Sequence, residues 1–99
     1  MDIINNNILT GHISGRVGSL DRALGQYLRY YGDFKIGITG DPEKRGYDYV
    51  KDGWSKMVLL YFTGSENYIR MAETLLVKYG WKNYFDRSWN EIRGGWTTW

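Results

Sequence analysis

The sequence predicts an α+β domain, a small and mostly antiparallel three-stranded sheet flanked by helices. Three observations predict it. Phe34–Thr39 alternates Phe34, Ile36 and Ile38 with Lys35, Gly37 and Thr39, the period of a strand with one buried face. Met57–Phe62 is apolar throughout and has strand length, as suits a central strand. Leu20–Tyr31 and Glu66–Tyr79 carry their apolar residues at helical spacing. With 99 residues the chain has room for one domain and one core.

Taken in order, Met1–Asn7 holds three consecutive asparagines and reads as an irregular lead-in. Ile8–Ser14 loosely alternates and is the third strand, interrupted by Gly11. After the turn-rich Gly15–Gly18, Ser19 is a suitable cap for the helix Leu20–Tyr31. Leu20, Ala23, Leu24, Tyr27, Leu28, Tyr30 and Tyr31 share one face of it, and Gly32 is the natural residue past its end. A strand Gln26–Tyr31, turning through Gly32-Asp33 into Phe34–Thr39, competes with this helix.

Gly40 breaks the strand that follows. Asp41 then caps a short helix Pro42–Val50, with Pro42 at its first position and Glu43 in its first turn. Lys51–Lys56 is a loop around Asp52-Gly53. Thr63-Gly-Ser-Glu66 has the form of a capping box for the last helix, which Gly80 ends. From Trp81 the periodicity fails, apart from a short strand near Ser88–Ile92. This tail is too aromatic for a solvated one and is expected to pack back on the domain.

Composition excludes several chemistries. No cysteine is present, so disulfides, thiolate metal sites and thiol nucleophiles are out. One histidine, His12, rules out an imidazole cluster. The net charge of +2 permits nucleic-acid binding without arguing for it. Nine tyrosines and five tryptophans are many for this length, and their polar tips favour grooves and surfaces. No signal peptide or membrane-spanning run is seen, which leads to the expectation of a cytoplasmic protein with no membrane partner.

Four side chains have the chemistry for a phosphate site. Arg45, one turn into its helix, stands over the end of the strand that carries Lys35. Such a pair of cations is either a solvated edge or a phosphate clamp. Tyr49, four residues after Arg45, shares its face and either packs or orients a water or phosphate. Lys35 is either edge protection or a cation and proton acceptor. Glu73 lies on the flank of the apolar face of its helix, between Ile69 and Val77. A carboxylate so placed is paired, protonated or bound to a cation. Its functional role would be a monodentate ligand for Mg²⁺ or Mn²⁺; its plain role, a salt bridge with Arg45 or Lys35.

KIGIT, then DPEKR, then the strand Met57–Phe62, then a helix with Ala72-Glu73 and Leu75-Leu76, together resemble the GIY-YIG nuclease superfamily. The branch is the phage and bacterial one whose second motif reads KIG. The likeness covers Phe34–Tyr79, about half the chain. It implies metal-dependent hydrolysis of DNA phosphodiesters, with Arg45 as the family's arginine and Glu73 as its metal ligand. It also puts Lys35 at the second-motif tyrosine, Tyr49 at the residue one turn after the arginine, and Asn90 at a late asparagine of some branches.

The first motif, GIY, is missing as such. Gly11-His12-Ile13 is its nearest equivalent, with His12 as a substitute base, and Tyr27 in Gly25-Gln26-Tyr27 would supply the tyrosine on the competing strand reading. Nucleic-acid contacts are assigned to Lys44, Arg29, Lys82 and Arg87. Lys82, Arg87 and Arg93 interleave with Trp81, Tyr84, Phe85, Trp89, Trp96 and Trp99 as a stacking surface, or else those rings cover the sheet, with Phe85 and Trp89 in the core. Loss of the first motif keeps open a catalytically silent module that binds nucleic acid or a protein, as a phage inhibitor does. A domain this small is also a candidate homodimer, joined through its aromatic tail.

Overall fold

Leucines spaced one turn apart make the frame. The computed structural model describes residues 1–90. In it α1 (Val17–Leu28) packs on α3 (Glu66–Asn83). Leu20, Leu24 and Leu28 join Ala72, Leu76 and Val77 in one buried cluster, as their spacing requires. Ile13, from a 3₁₀ turn (Ile13–Gly15), and Ile36 complete it.

The helix ends differ from expectation for local reasons. Gln26–Leu28 are helical, so the competing strand is excluded. Ser19 lies inside α1 and does not cap it, because the 3₁₀ turn runs straight into the helix through Arg16 N–H to Ile13 O (2.9 Å). At the other end the Arg87 guanidinium donates to the carbonyls of Leu28 (2.5 Å), Tyr31 and Gly32 (3.2 Å). A charged side chain thus does the work expected of Gly32.

α2 (Pro42–Lys51) forms as its sequence dictates, with Asp41 accepting from Lys44 N at 3.2 Å. α3 is capped by Ser65, which accepts from Tyr68 N, and not by Thr63, whose hydroxyl is used one turn earlier by Ser65 N. Glu66 pairs with Arg70 at 3.1 Å in place of reaching back. Gly80 does not end the helix. A Cβ there would stand 2.8 Å from the Phe34 ring, so this glycine admits the ring against α3 while the helix continues to Asn83.

The expected three-stranded, mostly antiparallel sheet is corrected. Among the described residues the sheet has two strands, β1 (Asp2–Ile4) and β2 (Lys56–Val58), and they are parallel, with Ile3 opposite Met57. The architecture remains α+β, with three α-helices among the described residues. β1 comes from the supposed lead-in. Ile8–Ser14 gives only an isolated parallel bridge, Leu9 to Tyr61, before Gly11 turns the chain with φ +98°. Met57–Phe62 keeps regular pairing only to Val58 and then follows single bonds such as Leu59 N–H to Ile4 O.

Phe34–Thr39 is not a strand. Phe34 bridges to Ser88, and the N–H and C=O of Ile36 are both taken by the side-chain amide of Asn90, at 2.8 and 2.9 Å. An amide side chain offers one donor and one acceptor as a peptide does, but it has no next residue with which to extend a ladder.

The tail holds two further corrections. Phe85 and Trp89 are exposed and not core. Trp89 meets Trp54 edge to face, with centroids 5.8 Å apart, and donates its indole N–H to Asp33. Of the strand expected at Ser88–Ile92, the described part shows only the bridge at Ser88. Arg93, Trp96 and Trp99 lie outside the described residues. No helix among the described residues is long and apolar enough to cross a membrane.

Candidate phosphate site between two helices

The irregular segment 35–39 forms a wall shared by two hollows. On one side it faces α2, the chain after β2, and α3, across a cleft of about 750 Å³ lined by Lys35, Arg45 and Glu73. On the other it closes a cavity of about 340 Å³ that Lys35 and Arg45 also reach, together with Tyr27 and Tyr49. Of the residues singled out by sequence, Lys35 and Arg45 share the cleft with Glu73 and the cavity with Tyr27 and Tyr49, although the strand expected to carry Lys35 does not form.

Arg45 is half-buried, held by the first turn of a well-capped helix. Its guanidinium lies 5.3 Å from the centre of the Tyr49 ring, and the Lys35 ammonium 5.8 Å from that same ring. Both distances suit cation–π attraction. A ring shared by two cations keeps them close. The Arg45 Nε is buried and has no hydrogen-bond partner.

Glu73 is half-buried beside Ala72 and Leu76 on α3. Burial pushes its carboxyl above the ordinary value of 4.5, against a smaller downward pull from Arg70. Its Oε2 is buried without a hydrogen-bond partner. Among the described residues ion pairs join Lys56 to Asp2 and Arg70 to Glu66, and Glu73 takes part in neither. The salt bridge with Arg45 or Lys35, its plain role, is not what these residues form. An unsatisfied buried donor on one helix and an unsatisfied buried acceptor on another, lining one cleft, are each costly to leave unmade.

The remaining candidates are placed elsewhere. His12 lines neither hollow; its Nδ1 is 2.8 Å from the Ser14 hydroxyl and its ring rests on Tyr68. Lys44, Arg29 and Lys82 are exposed, on the first turn of α2, the end of α1 and the last turn of α3. The Arg87 guanidinium is engaged by three carbonyls. Sequence reasoning did not anticipate what Asn90 does: it holds Ile36, and through it the backbone beside Lys35. Nothing local marks such a role, since its partner lies 54 residues away.

No group of three His, Cys, Asp or Glu gathers among the described residues. A divalent ion here would have the Glu73 carboxylate and complete its shell with water and substrate oxygens, a pattern that suits Mg²⁺. The orphaned Oε2 fits that role. Comparison with family models, curated proteins and solved structures gave no significant match. The likeness to the GIY-YIG superfamily rests on the quoted residues alone.

Proposed function

We propose that the chain is a metal-dependent phosphodiesterase of nuclease type, acting on DNA. One observation carries the reading: Arg45 Nε and Glu73 Oε2 line one cleft, are buried, and lack partners. A phosphate oxygen answers the first and a divalent cation the second, and a phosphodiester with its counter-ion brings both. Arg45 would clamp the phosphate and balance the charge that builds on it during in-line attack. Lys35 lines the same cleft, where it would orient the attacking water, and Tyr49 stands behind it in the adjoining cavity, with its ring 5.3 Å from the Arg45 guanidinium and 5.8 Å from the Lys35 ammonium. Tyr27 reaches the adjoining cavity from α1. Glu73 would hold Mg²⁺ or Mn²⁺, which would supply Lewis acidity when bound.

Plasmid nicking tests this reading. With Mg²⁺ or Mn²⁺ the native chain nicks DNA, and Arg45→Ala or Glu73→Ala lowers the rate roughly 10²–10³-fold with the circular dichroism unchanged. Absence of cleavage on duplex, single-stranded and branched DNA rejects it. The sheet correction favours a second reading, a silent module that binds nucleic acid or a protein, because the antiparallel strand that would hold a first-motif tyrosine is replaced by a helix. That reading expects DNA binding, or binding to a protein, without nicking.

A further inference from the structure

The 340 Å³ cavity has a polarity of its own. Its size is in the range of pockets that enclose small ligands, roughly 300–1,000 Å³. At the end shared with the cleft stand Lys35 and Arg45. Among the aliphatic side chains of its wall, such as Leu24, Leu28 and Met57, stand flat rings: Tyr27 and Tyr31, whose planes lie within 10° of parallel, and Trp54. Asp33 lines it too and holds an acceptor toward the Trp89 indole. Cations and aromatic rings lining one cavity match a ligand that joins an anion to a planar ring.

We propose that this cavity is a subsite for one unpaired nucleobase, whose 3′ or 5′ phosphate lies in the cleft at Arg45. The proposal deepens the phosphodiesterase reading and rests on it. It gives the small domain a substrate preference: a strand that is single or locally opened, since a base inside a duplex cannot leave its stack without cost. Tyr27 and Trp54 supply the stacking faces, and ring stacking tolerates every base. The preference is therefore for unpaired structure and not for sequence. The charge arrangement disfavours a purely apolar occupant, which would leave the buried Arg45 Nε without a hydrogen-bond acceptor.

The test compares two probes of equal length in the presence of Ca²⁺, a single-stranded oligothymidylate and the same backbone with abasic spacers. Affinity is read by fluorescence anisotropy, and tryptophan quenching reports the ring contact. The native chain is expected to bind the base-bearing strand about tenfold more tightly than the abasic one. Trp54→Leu and Tyr27→Leu, which keep apolar bulk, are expected to erase that preference. Arg45→Met is expected to weaken both probes equally. Equal affinity of the native chain for both probes overturns the base subsite while leaving the phosphodiester reading intact. Binding of neither overturns both. Retention of the preference in both leucine variants, folded by circular dichroism, also overturns the subsite.

Discussion

The α1–α3 interface and the cleft between α2 and α3 share a helix but treat it in opposite ways. On one face α3 gives Ala72, Leu76 and Val77 to a cluster closed by Leu20, Leu24 and Leu28, all apolar and all buried. On its flank it gives Glu73, whose buried oxygen has no partner, to a cleft where the Nε of Arg45 has none either. Three positions separate Glu73 from Leu76, so less than one turn divides the stabilising face from the costly one. On the proposed function, the difference divides stability from activity. Damage to the first face is expected to unfold the chain; damage to the second is expected to leave it folded and inactive.

The largest effect tests the first face. Leu24→Ala removes a side chain from the centre of the cluster and is expected to cost about 2–5 kcal/mol in urea denaturation. A loss below about 1 kcal/mol would mean that the helix pair is not the frame.

Asn90 joins the two regions and sharpens the comparison. Asn90→Ala leaves the N–H and C=O of Ile36 without their partners, expected to cost about 1–3 kcal/mol. Because segment 35–40 walls the cleft, nicking by the folded fraction should fall as well. Hydrogen exchange at the Ile36 amide is the direct readout. Exchange as slow as in the native chain would contradict the assignment.

The smallest effect on stability belongs to Glu73→Gln, and there its sign is informative. The raised carboxyl pKa means that the folded chain holds this proton more tightly than the unfolded chain does. That contribution is full below the ordinary value of 4.5 and is lost as the pH rises through the raised value. The native chain should therefore lose stability across that window, and the glutamine variant should lose less. At neutral pH Glu73→Gln is expected to match or exceed the native chain in thermal midpoint while nicking disappears. A destabilised variant with a steeper pH profile would show that Glu73 is a paired structural residue.

How much of this was readable in the sequence follows the range of the interactions. Helical faces are local, so Leu20, Leu24 and Leu28 announced α1, and Asp41-Pro42 announced α2. Glu73 stood out for the same reason, as a charge on the edge of an apolar stripe. The sheet was not readable because its pairings are distant: Asp2 meets Lys56, and Phe34 meets Ser88. Alternation in Phe34–Thr39 correctly told which side is buried, since Ile36 is in the core, but it could not tell that a side-chain amide would stand in for a neighbouring strand. Gly80 misled for a related reason. A glycine near a helix end suggests termination, whereas here it makes room for a ring 46 positions away in the chain.

The most direct measurement is the titration of the Glu73 carboxyl, followed by ¹³C chemical shift, alone and with Mg²⁺ and dimethyl phosphate. If Arg45 and Glu73 form a site for a phosphodiester and its cation, Glu73 titrates above the ordinary carboxyl value on its own and moves down when both ligands are added, while Arg45→Met abolishes the response to phosphate. A carboxyl that titrates at the ordinary value, or one that ignores both ligands, would contradict the account.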